Sequence, residues 1–350
     1  MSDKMEYNKI VNTAINLLVE NGADVFDAMK VVNSLAETSL RGIDSHGINL
    51  IPRYLKSMKE GKIKLDKKPK IVFENDIFVN VSGESGFGQI TAEFGINKGI
   101  EKAKKSGISV VGLNDTNHIG TLGQYNLLAS KAGFMCFSVC NGGANVAPYG
   151  GYERFLGTNP ISFSIPVKDK EPMLVDFATS VFPESKVRDY RDKGMKLPKD
   201  VILDSNGKDT DNPNDFYDGG SLLSIGGHKG YGLSLMVEIL GGLFTGAGFW
   251  ALGESTSTNG VTFIMIDPTV FRGEAFFGDV QSFIDKLKSQ PTIDGVQQIL
   301  LPGELELQTK RERIVDGVFI SSDLLEIINS IESIDNKMGS LRLFKELIDE

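Results

Sequence analysis

Histidine is scarce in this chain, and every histidine has a glycine within two residues. The 350 residues contain 3 histidines, His46, His118 and His228, in the segments DSHG, NHIG and GGHKG. Glycine loses more backbone freedom on folding than any other residue, so its repeated presence suggests a close approach of a ligand to the main chain. Imidazole titrates nearest to neutral pH, and these three turns are therefore candidate places for proton transfer.

The first of these turns, RGIDSHG, places four polar side chains within six residues: Arg41, Asp44, Ser45 and His46. A hydroxyl or carboxylate beside an imidazole can fix its tautomer and tune its pKa, as a general acid–base requires. Aspartate and serine are also common turn formers, so a purely structural turn is the alternative. Neighbouring side chains of an extended chain point in different directions, and the order Ser-His does not imply a nucleophile pair.

The other two histidines stand at the predicted starts of helices. His118 follows the predicted strand ISVVGLN, and ligands of α/β sheets bind outside the carboxyl ends of strands. His228 and Lys229 open a predicted helix after two glycines, where free amides, the positive helix end and a lysine favour an anion such as phosphate. The alternatives are a histidine that only satisfies loop backbone groups and a simple helix cap.

Several other site types are not indicated by the spacing. The glycines at positions 83, 86 and 88 do not form the G-x-G-x-x-G dinucleotide fingerprint. Neither H-E-x-x-H nor C-x-x-C occurs, and we expect no metal, although three histidines and an aspartate could in principle converge on one. A net charge of −9 and an isoelectric point near 5.1 argue against nucleic-acid or anionic-membrane partners.

The cysteines and the apolar segments indicate a cytoplasmic protein. Cys136 and Cys140 lie in one predicted strand, and we interpret both as buried free thiols in a reducing compartment. The first residues lack the continuous apolar run of a signal peptide. The apolar segment 233–253 contains Glu238 and two adjacent glycines, which favours a buried helix over a membrane span.

The elements that must position these residues follow an α/β pattern. Helices are predicted over 3–21, from the cap Asp24 to about Arg41, and from Pro52 to Gly61. From residue 70 onward, strands and helices alternate, which indicates an α/β core over 70–304. A helical lobe is expected over 1–69, packed with C-terminal helices within 305–350. Polar composition predicts that 185–226 is mostly loop, with 204–220 as a long surface excursion.

Taken in order, six segments resemble the type-2 malate/L-lactate dehydrogenases: RGIDSHG, NHIG, GGYERFLGTNP, LVDFATS, GGHKGYGLSLMVEILGG and LPGE. That family also includes ureidoglycolate, sulfolactate and diketogulonate enzymes and an imine reductase for cyclic amino acids. The likeness spans about Arg41 to Glu304. It implies a nicotinamide-dependent oxidoreductase with a non-Rossmann α/β fold of the malate/L-lactate (sulfolactate) dehydrogenase type. It also implies a homodimer with sites near the subunit interface.

The resemblance implies roles for individual residues. Some family members transfer the proton with the match of His46, supported by the matches of Ser45 and Asp189, whereas others use the match of His118. Four segments would hold the cofactor or line its nicotinamide, and their residues are His118, Ile119, Gly120, Thr121 and Leu122; Asp176, Phe177, Ala178, Thr179 and Ser180; His228 and Lys229; and Gly303 and Glu304.

One departure from the family bears on the substrate. Members often carry arginine three residues past the SHG glycine, where it can hold the substrate carboxylate, but Leu50 stands there. Arg53 lies one turn further along the predicted helix and could replace it, with help from Arg41, by pairing bidentately with a carboxylate.

We therefore expect a 2-hydroxyacid dehydrogenase that uses NAD, or alternatively NADP, and interconverts malate and oxaloacetate. His46 is expected to be the acid–base and His118 to polarise the substrate oxygen. Another 2-keto acid or a cyclic imine is the alternative substrate. Two hypotheses from other classes are a metal-dependent hydrolase using Asp44 with both histidines, and a catalytically inactive anion-binding protein.

Overall fold

The computed structural model describes residues 3–250 and 259–338, and the chain divides into two compact units. The first unit combines residues 1–60 with the chain from 309 onward, and the second comprises residues 61–308. Helix α11, Glu304–Asp316, carries the chain from the second unit back into the first.

The first unit is mainly helical. Asp24 caps its second helix by accepting the amides of Phe26 and Asp27, and Pro52 lies in the first turn of the third, as the sequence predicts. Two short 3-10 turns, Asp44–His46 and Ile48–Leu50, separate these two helices. The other helices and strands of this unit are α1 Tyr7–Glu20, α2 Val25–Leu40, α3 Ile51–Lys59, α12 Ser322–Met338, β1 Asp3–Met5 and β12 Val318–Ile320.

The predicted helix over residues 3–21 is wrong at its start. Asp3–Met5 forms a strand that pairs antiparallel with Val318–Ile320 at the other end of the chain. Local periodicity carries no information about a partner more than 300 residues away, so only the folded chain reveals this pairing. Helices are confirmed within the C-terminal segment, where α11 begins at Glu304 and α12 at Ser322, and residues 339–350 lie outside the described part of the chain.

The second unit is built on a seven-stranded mixed sheet in the order β2-β3-β4-β11-β5-β6-β7. Only the β3–β4 pair is parallel, so the sheet differs from the mostly parallel Rossmann sheet. The predicted strand–helix alternation is confirmed. The elements are β2 Lys70–Glu74, β3 Phe78–Ser82, α4 Gly88–Ser106, β4 Ile108–Thr116, α5 Leu122–Lys131, β5 Met135–Cys140, β6 Ile161–Ile165, β7 Met173–Phe177, β11 Asn259–Ile266, α9 Thr269–Arg272 and α10 Ala275–Lys288.

The expectation that 185–226 is mostly loop is confirmed, since helices and strands cover 19 of its 42 residues, but the segment is more than a surface excursion. This segment contributes a small second core with Phe216, Ile202 and Val187 buried. Its strands have only two residues each, too short for a periodic pattern to show. The elements are α6 Glu184–Asp192, β8 Ile202–Leu203, β9 Asp209–Thr210, α7 Pro213–Tyr217 and β10 Ser221–Leu222.

The apolar segment after residue 227 forms helix α8, His228–Val237, which continues as a π-helical turn over Glu238–Leu243. Glu238 is buried there and accepts hydrogen bonds from the side-chain amides of Asn141 and Asn159. No helix in the described part of the chain is long and apolar enough to cross a membrane. The end of this segment, residues 251–253, lies outside the described residues. Both cysteines are buried free thiols, as predicted.

Candidate active site

The loop that carries His118 lies at the carboxyl end of β4 and packs tightly against the turn that follows β3. A Cβ on Gly88 would lie 2.2 Å from the Asn117 carbonyl oxygen and 2.3 Å from that of His118. A Cβ on Gly83 would lie 2.8 Å from the Asp115 oxygen. These glycines do not form a dinucleotide fingerprint. Because they have no side chain, they allow the turn after β3 to contact the backbone of the His118 loop directly.

The geometry of His118 favours one tautomer. Its Nδ1 accepts the Gly120 amide at 3.3 Å, and Gly120 has the left-handed φ of +85°. Because Nδ1 is the acceptor, the neutral imidazole carries its proton on Nε2 and presents a donor there. Asp115, the nearest acidic residue in sequence, accepts a hydrogen bond from Ser85 Oγ at 2.8 Å.

Asp176, at the end of β7, is joined to the first turn of α5. Its Oδ2 accepts the Gly123 amide at 2.7 Å. Burial raises the pKa of this carboxyl to about 7, with a further increase from the negative charge of Glu306 and an opposing effect from the Gly123 bond. The segment expected to hold cofactor is therefore tied directly to the segment that carries His118.

The residues after Asp176 lead to the start of α8. The Ile225 amide donates to the Thr179 oxygen at 2.9 Å, and the next two residues, Gly226 and Gly227, have positive φ. The Thr179 hydroxyl donates to the Thr158 and Asn159 carbonyls, while the Ser180 hydroxyl donates to Phe182. These two hydroxyls therefore hold the protein chain in place. The neighbouring Phe177 is exposed and Ala178 is partly buried.

At the start of α8, His228 and Lys229 are both exposed, following the two glycines. The His228 ring meets Tyr149 edge-on, with ring centroids 5.9 Å apart. Backbone amides at the beginning of a helix have no intrahelical acceptor, and Lys229 adds a positive charge beside them. This arrangement can hold an anionic group such as a phosphate.

The segment around Gly303 packs on β7 close to Asp176. The Leu174 amide donates to the Pro302 oxygen at 3.1 Å, and a Cβ on Gly303 would lie 3.3 Å from Leu174 Cβ. Glu304 is ion-paired with Lys288 at 2.5 Å and accepts the Leu301 amide at 2.8 Å. Burial raises the pKa of Glu304, but these hydrogen bonds outweigh it and hold the pKa below its usual range.

In the first unit, His46 lies in a short 3-10 turn beside its expected partner. Its Nδ1 is hydrogen-bonded to Ser45 Oγ at 2.9 Å. Burial lowers the pKa of His46, and the positive charge of Arg53 lowers it further. The adjacent Gly47 packs against Ser39, where a Cβ would lie 2.0 Å from Oγ, so this glycine is explained by protein packing.

The basic residues expected to bind carboxylate differ in their surroundings. Arg53 is exposed on α3, and Leu50 is buried in the preceding turn with 8% of its surface accessible. Arg41 is buried, and its Nε donates to Glu37 at 3.0 Å. Asp189 is exposed on α6 within the second unit.

The hydrolase hypothesis finds no support in the acidic residue that it requires. Both oxygens of Asp44 are engaged by Arg313, at 2.5 and 2.9 Å, in a bidentate ion pair. Within residues 3–250 and 259–338, no group of three or more histidine, cysteine or acidic side chains is arranged to hold a metal ion.

Comparison with known proteins identifies the family. The family profile described as malate/L-lactate dehydrogenase matches residues 5–329. The chain belongs to the malate/L-lactate dehydrogenase family. It is 36% identical to a malate dehydrogenase of Pyrococcus abyssi over 93% of this chain and 92% of that protein. It is also 36% identical to hydroxycarboxylate dehydrogenase B of Escherichia coli K12, over 85% and 84%.

The fold agrees with this assignment. The solved malate dehydrogenase of Pyrococcus horikoshii superimposes with a TM-score of 0.85 at 31% identity, covering 97% of this chain and 96% of that one. The fold predicted from the six motifs is therefore confirmed. Membership of the family makes this chain an oxidoreductase that acts on a hydroxy acid, a small molecule, and it implies a nicotinamide cofactor.

The residues of the second unit fit such a cofactor chemically. A dinucleotide carries phosphates, and the start of α8 offers the amides of a first helical turn, two glycines without side chains and the Lys229 cation. The glycines at 83, 88 and 123 were not anticipated as parts of the site. Gly123 lies three residues after the NHIG turn, but Gly83 and Gly88 lie 34 and 29 residues before it, and no local pattern marks any of the three because their roles depend on contacts with distant segments.

Proposed function

We propose that this protein is an NAD-dependent dehydrogenase, with NADP as the alternative cofactor, that interconverts malate and oxaloacetate. The observation that supports it best is the different hydrogen bonding of the two histidines. His118 Nδ1 accepts the Gly120 amide, which places the proton of the neutral ring on Nε2, whereas His46 Nδ1 is bonded to the Ser45 hydroxyl, which can donate or accept. His46 can therefore keep its bond to Ser45 in either protonation state, as an acid–base requires.

In the oxidation direction, His46 takes the proton of the substrate hydroxyl. In the tautomer whose Nδ1–H donates to Ser45, Nε2 is the basic nitrogen, and the lowered pKa keeps the ring neutral near pH 7. His118 is proposed as the group of the second unit that polarises the substrate oxygen through its Nε2–H. Asp189 is proposed as the carboxylate that supports His46. The nicotinamide, when bound, would accept the hydride from the substrate carbon, and Lys229 with the α8 amides would hold the cofactor phosphates.

We also propose that the enzyme is a homodimer. Helix α8 and its π-helical continuation expose a row of large apolar side chains at helical spacing, Leu233, Met236, Ile239, Leu243 and Phe244, each 39–55% accessible. An apolar row of this kind is typical of a protein interface. Sedimentation velocity would test it, since substitution of Met236 and Leu243 by lysine should give a monomer. The two free thiols support a reducing, cytoplasmic location.

A substrate panel tests the reaction. Purified protein would be mixed with NADH or NADPH and, in turn, oxaloacetate, pyruvate, sulfopyruvate, diketogulonate and a cyclic imine, and the loss of absorbance would be followed. Oxaloacetate should give the highest kcat/KM, and a chelator should not change it. A higher kcat/KM with another acid or with the imine would show that this compound, and not malate or oxaloacetate, is the preferred substrate. Chelator-sensitive hydrolysis without nicotinamide turnover would contradict the dehydrogenase.

Replacing Arg53 should weaken substrate binding. We propose that its exposed guanidinium pairs with the substrate carboxylate in place of the arginine missing at Leu50. Loss of a charge-assisted hydrogen bond costs about 1.5–3 kcal/mol, so Arg53→Leu should raise KM for oxaloacetate roughly tenfold to a hundredfold. Lys56→Leu, which removes a 77% exposed charge from the same helix, is the matched control. A wild-type KM in Arg53→Leu would instead point to Arg41.

Arg53→Leu should also shift the pH dependence of kcat/KM for malate oxidation. Because the charge of Arg53 lowers the pKa of His46, its removal should raise that pKa. The acidic limb of kcat/KM for malate oxidation, where His46 becomes protonated, should lie below pH 6.5 in the wild type. It should shift to higher pH in Arg53→Leu and stay in place in Lys56→Leu. An unshifted limb would show that His46 is not the titrating group.

A further inference from the structure

Helix α5 begins without a cap from its own sequence. Thr121, at the N-cap position, makes no side-chain hydrogen bond to the amides of the first turn. The amide of Gly123 is bonded instead by Asp176 Oδ2, at 2.7 Å, from a strand 53 residues further along the chain. A carboxylate at this position satisfies a free amide and complements the positive helix end, as a local Asp cap would.

The first turns of α5 in turn hold the His118 loop. Tyr125 Oη donates to the Ile119 oxygen at 2.5 Å, and Gln124 Nε2 donates to the same oxygen at 3.1 Å. Ile119 directly follows His118 in the chain. The position of the His118 ring is therefore linked to Asp176 through one backbone oxygen and the start of one helix.

The close approach of the carboxylate depends on the absence of a side chain at Gly123. A Cβ there would lie 2.8 Å from Asp176 Oδ2 and 2.9 Å from Leu174 Cδ2. Both distances are too short for real Cβ contacts, so a larger residue would displace the Asp176 carboxylate and the Leu174 side chain from their present positions. The contact between Asp176 and Gly123 is therefore a close-packed junction between β7 and α5.

We propose that Asp176 is a positioning residue that sets the His118 loop by capping α5, and that its carboxylate does not act as a cofactor ligand. This inference rests on the proposed role of His118 as the group that polarises the substrate oxygen. It separates Asp176 from the neighbouring residues of the same motif, to which cofactor binding was assigned as a group.

Two variants at Asp176 separate positioning from cofactor binding. Asp176→Ala removes the acceptor, whereas Asp176→Asn keeps an oxygen that can accept the Gly123 amide. Asp176→Ala should raise KM for the 2-keto acid about tenfold or more, as is expected for His118→Ala, with Kd for NADH within about twofold of wild type. Asp176→Asn should restore most of the loss. A raised Kd for NADH in both variants, with KM for the acid unchanged, would overturn the proposal.

A double variant tests the route through His118. If Asp176 acts through that ring, Asp176→Ala should add almost nothing to KM once His118 is already alanine, because residues acting through one contact are not additive. Full additivity of the two effects would overturn the proposal.

The pH dependence of KM gives a readout that a merely structural contact would not change. Asp176 is faced by Glu306 from α11 and by Cys140 from β5, besides the Gly123 amide. Above pH 7 its charged form caps α5 more strongly, so KM for the 2-keto acid should fall as the pH rises through about 7. Asp176→Asn should lose this dependence. An identical dependence in the Asn variant would count against the proposal.

Hydrogen exchange tests the junction independently of any activity. In Asp176→Ala, peptides covering residues 118–126 should exchange faster than in the wild type, and in Asp176→Asn they should stay near the wild-type rate. If no 2-hydroxy acid is oxidised, the proposed function fails, yet this comparison still decides the junction. Unchanged exchange in the alanine variant would overturn it.

Discussion

Replacing His46 with alanine should lower kcat by roughly a hundredfold or more, the usual scale for loss of a general acid–base. The ring is held by Ser45 at 2.9 Å, and its lowered pKa leaves it neutral and able to accept a proton near pH 7. His46→Ala should also abolish the acidic limb of the kcat–pH profile, because the titrating group is gone. Steady-state rates of malate oxidation between pH 5 and 9 would measure both effects.

His118→Ala is the matched comparison for this prediction. Its Nδ1 accepts a backbone amide, so the ring is suited to hydrogen-bond donation, and its loss should act mainly on KM while the acidic limb survives. The opposite pattern, with the limb retained in His46→Ala and lost in His118→Ala, would reverse the two roles. Ser45→Ala should fall between these results, since it removes only the partner of the imidazole.

Replacing Lys229 with alanine should weaken NADH binding by roughly tenfold to a hundredfold, which corresponds to the loss of one charge-assisted contact of about 1.5–3 kcal/mol. The residue is exposed at the start of α8, beside amides that have no intrahelical acceptor. The effect should appear in Kd well before any loss of stability, because an exposed lysine contributes little to folding. Fluorescence titration with NADH would measure it.

Lys196→Ala provides a control with the same change in net charge. Lys196 is 79% exposed and pairs with Asp211 on the surface of the same unit, so its loss should leave Kd for NADH unchanged. The binding loss in Lys229→Ala should also shrink at high salt, since an exposed charge is screened. Equal titration curves for wild type and a folded Lys229→Ala would remove the cofactor role from this turn.

The sequence determined the parts of this protein that depend on neighbouring residues. Asp24 marks a helix start because its carboxylate can reach the next two amides, and Gly107 marks a helix end because its backbone adopts φ +76° without strain. The alternation of strands and helices after residue 70 follows from side-chain periodicity. The ordered motifs were sufficient to give the family, since each keeps its chemistry within a few residues.

Only the tertiary structure decided the contacts that join distant segments. The β1–β12 pairing, the ion pair of Asp44 with Arg313 and the bond from Gly123 to Asp176 connect residues from 53 to more than 300 positions apart. The acceptor for an amide, or the partner of a carboxylate, is whichever group the fold brings within about 3 Å, and local propensity does not encode it. For the same reason, the role of Gly83 and Gly88 is visible only in the folded chain, where their missing side chains allow contact with the backbone of the His118 loop.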